Sequence, residues 1–213
     1  MTILFLIAHP DDEAYGPFGT IAKLAKEHKV TVFCICNGER PGNKQVSADR
    51  VFAFKANCEQ LGVEWRIQNN ADCSLEYADT LANVEGIINF YRPDIVYTHS
   101  NTDLHNDHRI LAETALVACR PKPDSLVNEL YFFEIPQFAQ SQSSFKPTTY
   151  KDITNYIDLK KQALERYATE TYEFPDARSI EAVETLAKFR GYAVGVKYAE
   201  AFQLVFSRDH KAQ

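Results

Sequence analysis

The sequence predicts an α/β fold: a Rossmann-like, doubly wound, mainly parallel sheet flanked by helices, with a C-terminal α/β addition. Three observations predict it. Apolar runs of strand length alternate with helical spacings from residue 2 to residue 118. The first runs, "TILFLIA" and "VTVFCIC", are apolar throughout rather than alternating, as strands covered on both faces are. The links between elements are short, which suits strand–helix–strand repetition.

Taken in order, "TILFLIA" is the first strand and Glu13 to His28 a helix. "VTVFCIC" is the second strand, followed by "NGERPGNKQ", a loop rich in turn formers. Ser47 to Leu61 has helical spacing through Val51, Phe54 and Cys58, with Gly62 as a C-terminal stop. "VEWRI" is a third strand, Ala78 to Tyr91 a helix, "PDIVYTH" a fourth strand and Asp107 to Ala118 a further helix. The polar stretch Pro136–Pro147 marks the passage to the C-terminal addition. There, Tyr156–Thr169 and Ile180–Ala193 are predicted helices and "AFQLVF" a strand. No linker is long enough to divide residues 1–213, so a single domain is expected.

The bulk numbers narrow the function classes. A net charge of −6 with no basic run argues against a nucleic-acid partner. The opening "MTILFLIAHPDD" carries no basic leader, and its apolar run is too short for a bilayer span or a signal peptide, so no integral membrane segment is expected. Five scattered cysteines, an odd number, fit reduced thiols and a cytoplasmic setting. Cys34 and Cys36 share a strand face and are expected to pack the core, since no second pair or nearby histidine completes a site.

Ligands of doubly wound sheets lie beyond the carboxyl ends of the strands. His9, Asp11, Asp12 and Glu13 follow strand one; Asn37, Gly38 and Glu39 follow strand two; His99 to His108 follow strand four. Three adjacent carboxylates repel one another, and a cation or a helix N-terminus must offset them. The plain alternative is capping, because acids in a first turn complement the helix dipole. "HNDH" alone also suits a surface loop. Together, however, "HPDDE" and "DLHNDH" place histidines and aspartates three apart at one sheet edge. Two histidines and one aspartate make a catalytic zinc set with a position left open for water. An aspartate that does not ligate can act as general base.

Those motifs, with "NGER" and the late "RGYAVGVKYAEAF", resemble the PIG-L/LmbE-like zinc N-deacetylases over most of the chain and in the same order. The late segment is similar to bacterial members acting on N-acetylglucosaminyl conjugates, such as those of the bacillithiol and mycothiol pathways. The resemblance implies His9, Asp12 and His108 as metal ligands for one Zn²⁺ per chain, and Asp11 as general base. It implies His105 as the group that acts, protonated, on the leaving amine or the oxyanion, oriented by Asp107. Arg50 takes the place of a substrate-contacting arginine, with a solvated helix residue as the alternative. Glu39 is a candidate contact for sugar hydroxyls, or simply caps a turn. Glu200 is open between support of the site and a strand-edge salt bridge. His28 and His210 read as surface residues and His99 as a strand end near the site. Gly16, Pro17 and Gly19 permit close backbone packing there or merely shape a helix start.

The expected activity is metal-assisted removal of an N-acyl group, acetyl first, from a small amino-sugar substrate, by a chain that can form a homo-oligomer. Two other classes remain open at this level. A nucleotide- or sugar-binding or transferase Rossmann domain would want G-x-G-x-x-G after the first strand, which is missing. A non-catalytic metal-binding protein would have no use for Asp11 and His105.

Overall fold

The computed structural model describes residues 1–40, 44–136 and 145–209. The elements run β1 (Thr2–Ile7), α1 (Asp12–Tyr15), α2 (Phe18–Leu24), β2 (Lys29–Cys36), α3 (Lys44–Leu61), β3 (Glu64–Asn70), α4 (Tyr77–Tyr91), β4 (Ile95–His99) and α5 (Asn106–Ala118). There follow β5 (Glu129–Phe133), β6 (Thr149–Asp152), a 3₁₀ turn at Thr154–Tyr156, α6 (Ile157–Glu165), α7 (Ile180–Tyr192) and β7 (Ala199–Ser207). Among the described residues, one sheet holds all seven strands in the order β3-β2-β1-β4-β5-β7-β6. β3, β2, β1, β4 and β5 pair in parallel, whereas β7 is antiparallel to both β5 and β6.

The apolar character of β1 has its cause in the layers. Residues 3 to 7 have no exposed surface. Alternate side chains of a strand leave on opposite faces. Ile3, Phe5 and Ile7 join Phe18, Ile21, Phe54 and Leu164 on one side; Leu4 and Leu6 join Val84, Ile87 and Leu111 on the other. The chain leaves β1 towards β2 on one flank and later adds β4 on the other. That reversal opens a crevice beyond Ile7 and His99, where such sheets bind ligands.

Several elements differ from expectation. The helix expected over 13–28 is two helices, broken at Gly16–Pro17, because Pro17 has no N–H to continue the ladder. Gly16 is a place of close approach: a Cβ there would lie 2.9 Å from Phe133 and 3.0 Å from Ile135. At Gly19 it would lie 2.7 Å from Ile153. The expected helix over 156–169 begins as the 3₁₀ turn and stops at Glu165. β5 and β6 were not anticipated. β5 extends the parallel sheet beside β4, and β7 reaches the fold through it. Cys34 and Cys36 are buried and free, as core packing requires. Among the described residues, no helix is long and apolar enough to cross a membrane.

Glu200, in β7, is settled as a structural group. Its carboxylate accepts from Gly19 N (2.9 Å) and Thr20 N (2.7 Å) and pairs with buried Lys160 Nζ at 2.7 Å. Lys160 also donates to Gly16 O. A buried ion pair is tolerable when its remaining hydrogen-bonding capacity is filled, as here. The pair thus ties α6 and β7 to the break between α1 and α2.

Candidate metal centre

The turn after β1 is built around a strained residue. Asp11 has φ 128°, outside the regions an L residue prefers. Asp12 N donates to His9 O (3.2 Å), and Asp12 Oδ2 accepts the His9 N–H at 2.7 Å. These contacts turn His9 and Asp12 to one side and Asp11 to another. α5 supplies the facing histidines from its first turn, where His105 is the N-cap.

Two imidazole nitrogens and the Asp12 carboxylate converge. His9 Nδ1 lies 3.2 Å from His108 Nε2 and 3.5 Å from Asp12 Oδ2, and His108 Nε2 lies 3.4 Å from Asp12 Oδ1. Tetrahedral zinc with bonds of about 2.0–2.1 Å spaces its ligand atoms by about 3.3 Å, so these three fit that ion. Their far sides are held as metal ligands usually are. His9 Nε2 donates to Asp107 Oδ2 (2.9 Å), and His108 Nδ1 faces Asp103 Oδ2 at 3.1 Å. Among the described residues, three groupings bring one ligand atom from each member within 4.8 Å of all the others, His9–His105–His108, Asp12–His99–His108 and His9–Asp72–His105–Asp107, whereas Asp12 meets His9 and His108 through different oxygens. In each grouping, one imidazole nitrogen is already engaged. His105 Nδ1 accepts from Asp107 N (3.2 Å) and His99 Nε2 accepts from Ala8 N (3.0 Å).

His99 is more than a strand end. It is fully buried and stacks on His108 with ring centroids 3.9 Å apart. Burial and the neighbouring His108 charge lower it to about 4, so it forms a neutral floor. Burial also opposes charge on His108, but Asp12 and Asp103 outweigh it and lift its pKa to about 9. His9 is raised in the same way, against burial, by Asp107, Asp12 and Asp72. Asp12 is lowered against burial by His108 and His99.

Asp11 stands beside this set. Arg50 Nη2 lies 3.3 Å from Asp11 Oδ2, and Arg178 Nη2 donates to the same oxygen. Both contacts fall on Oδ2, which leaves Oδ1 to receive a proton. The Asp11 N–H is held by Glu13 Oε2 at 3.1 Å. Burial pushes Glu13 up to about 7, and its other oxygen accepts from Tyr167 and Asn57.

Three of the expected site residues have contacts other than those their expected roles suggest. Arg50 was expected to contact substrate. Its side chain is 2% exposed, and its nitrogens meet Pro10 O, Gly38 O, Asp11 and Asp72, which leaves none for a sugar. It is equally far from a solvated helix residue. Replacing it with methionine strands buried carboxylates, so Arg50→Met is expected to cost about 3–5 kcal/mol of stability. Denaturant unfolding checks this; an unchanged midpoint would mean that Asp11 and Asp72 do not depend on it.

Asp107 was expected to orient His105. Its carboxylate instead binds His9 Nε2, Cys73 N (2.7 Å) and Leu75 N (3.3 Å), and only its backbone N–H reaches His105. His105 was expected to be protonated. Burial and the charges of His108 and His9 lower its pKa, and its Nδ1 already accepts a hydrogen bond. A ring whose Nδ1 accepts from Asp107 N has Nε2 left to carry a proton.

Glu39 is half-buried and works through its backbone, with its N–H on Asn37 Oδ1 and its carbonyl accepting from Asp72 N. In that turn the capping side chain is that of Asn37, which accepts from Glu39 N. His210 and residues 137–144 of the Pro136–Pro147 stretch lie outside the described residues.

Four groups of the site were missed in the sequence. Asp72 follows β3 and so obeys the same sheet-edge rule as the other clusters; its Oδ2 meets Arg40 Nε (3.0 Å) and Arg50 Nη1 (3.2 Å). Asp103 lies within "DLHNDH". Arg178 and Glu170 belong to the C-terminal addition, carry no motif, and reach the site only through the fold.

The model of one protein family, PIG-L, described as GlcNAc-PI de-N-acetylase, matches residues 4–119. The "Uncharacterized deacetylase YaiS" of Escherichia coli is 28% identical over 174 residues, 78% of this chain and 89% of that protein. The "Probable N-acetyl-alpha-D-glucosaminyl L-malate deacetylase 2" of Bacillus subtilis is 26% identical over 187 residues, 79% and 83% of the two chains. Among solved structures, the N,N'-diacetylchitobiose deacetylase of Pyrococcus horikoshii superposes with a TM-score of 0.80 at 22% identity, covering 96% of this chain and 83% of that one. The 4-carboxy-2-hydroxymuconate hydratase GalB of Pseudomonas putida gives 0.77 at 24%, covering 100% and 99%. At these identities the structural likeness is one of fold, and the fold alone serves both chemistries.

Proposed function

The chain belongs to the PIG-L family, and from that premise we propose that it is a zinc-dependent N-deacetylase acting on an N-acetylglucosaminyl conjugate. The observation that carries the reading is the convergence of His9 Nδ1, Asp12 and His108 Nε2 at tetrahedral spacing, with Asp11 beside them. Relatives named as deacetylases support the class of reaction. His9, Asp12 and His108 would hold one ion. When bound there, zinc polarises an amide carbonyl and lowers the pKa of a water molecule to about 7.

The rest is work for the chain's own groups. Asp11 Oδ1 takes the proton of the attacking water, while Arg50 and Arg178 keep the carboxylate in place through Oδ2. His105 Nε2–H gives a hydrogen bond to the oxygen on which charge develops, as a neutral donor. The proton gathered by Asp11 is then available to the departing amine. Residues 1–213 act as one unit in this reading, because the C-terminal addition supplies Arg178. Five free cysteines suit a cytoplasmic protein, and a homo-oligomer is compatible with all of the above.

The test is acetate release from a panel of N-acetylglucosaminides by zinc-loaded protein. No release from any of them would sink the reading. The pH profile tests the donor. A group whose pKa is lowered is neutral above that value, so wild-type rate should stay level upward from the ordinary imidazole range. His105→Ala should lower the rate by about 10²–10³-fold evenly across it. An alkaline fall in wild type that disappears in His105→Ala would restore the imidazolium as donor.

A further inference from the structure

Of the three acids in "HPDDE", Asp11 and Asp12 have work in the proposed reaction and Glu13 has none. Glu13 is 1% exposed and belongs to none of the groupings of donors that could hold a metal. An acid in a first turn is ordinarily a solvated partner of the helix dipole, but α1 has only four residues and this acid is buried. A carboxylate taken out of water must have its oxygens filled.

Both oxygens are filled, from separate parts of the chain. Oε2 accepts the Asp11 N–H at 3.1 Å. Oε1 accepts from Tyr167 Oη at 2.5 Å and from Asn57 Nδ2 at 3.0 Å. Asn57 lies in α3 and Tyr167 just beyond α6, and both are buried. Asn57 Oδ1 accepts from Arg166 Nη1 at 2.7 Å, which turns its Nδ2 towards Glu13. The Glu13 carboxylate is thus fixed by α3 and the C-terminal addition, neither of which carries a proposed metal ligand.

Asp11, at the receiving end, is the strained residue at φ 128°. Its carbonyl accepts from Ala14 N (2.9 Å) and Tyr15 N (3.0 Å), and Arg50 and Arg178 meet its Oδ2. With its N–H on Glu13, every polar atom of Asp11 except Oδ1 has a partner among the described residues. A conformation this unfavourable persists only where its surroundings over-determine it. The arginines hold the tip of the side chain, and Glu13 holds the backbone from which it departs.

We infer that Glu13 is the positioning residue of the general base. Through the Asp11 N–H it keeps the backbone in the conformation from which Oδ1 meets the attacking water, without touching substrate itself. A misplacement of about 1 Å can cost on the order of 10²-fold in rate. The effect on rate rests on the deacetylase reading; the hold on Asp11 does not.

Glu13→Gln keeps the shape and tests the contact. One terminal atom becomes a donor, which then meets either the Asp11 N–H or Asn57 Nδ2, donor against donor. Zinc content and KM should stay as in wild type while kcat falls about 10–100-fold. A double-mutant cycle with Asp11→Asn separates positioning from general weakening. If Glu13 acts through Asp11, adding Glu13→Gln to Asp11→Asn should lower the residual rate no further. An unchanged kcat in Glu13→Gln, or equal losses in the two backgrounds, overturns the proposal. Tyr167→Phe retains the carboxylate and carries the same cycle if Glu13→Gln does not fold; a smaller kcat loss is expected there, again absent beside Asp11→Asn, and an unchanged kcat overturns the proposal equally. Amide exchange supplies a readout independent of catalysis. In isotope-labelled full-length protein followed by NMR, the Asp11 amide should exchange faster in Glu13→Gln than in wild type, with the amides of β1 unchanged. Equal protection in both would mean that Glu13 does not hold Asp11. If wild type releases no acetate from any substrate, the deacetylase reading fails while the Asp11 amide still decides the hold.

Discussion

Asp11→Asn is expected to retain its metal and to lose about 10²–10⁴-fold in the rate of acetate release, the usual worth of one general base. The amide has the same shape as the carboxylate but cannot take a proton at Oδ1. It also keeps an oxygen for Arg50 and Arg178, so the fold around φ 128° should persist. Asp12→Asn is the paired control. Asp12 lies between His9 Nδ1 and His108 Nε2, so its replacement should weaken metal binding first and activity as a consequence. Metal content and rate measured on both variants separate the roles. If Asp11→Asn sheds metal while Asp12→Asn keeps it, ligand and base must be exchanged.

His108→Ala is expected to lose the metal outright, and activity with it. The alanine removes one of three protein ligands, a larger change than the 10–100-fold typical of an outer-shell partner. It also leaves Asp103 buried against a missing ring. The same histidine sets a pH dependence. Its pKa is raised to about 9, so below that value the metal must displace a proton from it, and affinity for the metal falls as pH falls. His9, also raised, adds to the effect. Calorimetric loading of wild type in buffers of different ionisation enthalpy should show proton release, and more of it at lower pH, whereas His108→Ala should show no loading at the same concentrations. Equal metal content in His108→Ala and wild type would remove His108 from the ligand set.

Much of this was legible in residues 1–118, because doubly wound sheets obey a rule that sequence order alone can apply. Apolar runs locate the strands, and whatever polar groups follow them share one edge. That is why His9, Asp12, His105 and His108 could be brought together from "HPDDE" and "DLHNDH". Asp72 was within reach of the same rule. It was passed over because β3, lying at the sheet's edge, reads as half-exposed and its end is poorly marked, at Asn70 rather than Ile67. β5 escaped for a similar reason: "ELYFF" is short, and no following helix announces a parallel strand.

Local sequence therefore determined the beginnings of the strand order and the residue types of the candidate metal centre, with Asp11 and Asp12 adjacent in the turn after β1. What it could not determine is which group faces which. Asp107 and His105 are two residues apart, yet the carboxylate turns to His9, ninety-eight positions away, because the loop carrying Cys73 and Leu75 offers it two N–H groups. Arg50 looks solvated on a helix of low apolar contrast, but three carboxylates from separate segments bury it. Arg178 reaches Asp11 across 167 positions after the α6 and β7 ion pair has fixed the C-terminal addition against α2. Periodicity reports burial along one element; long-range Coulomb and hydrogen-bond partners exist only once several elements have packed, and they decided the orientation, charge and partners of every group in the site.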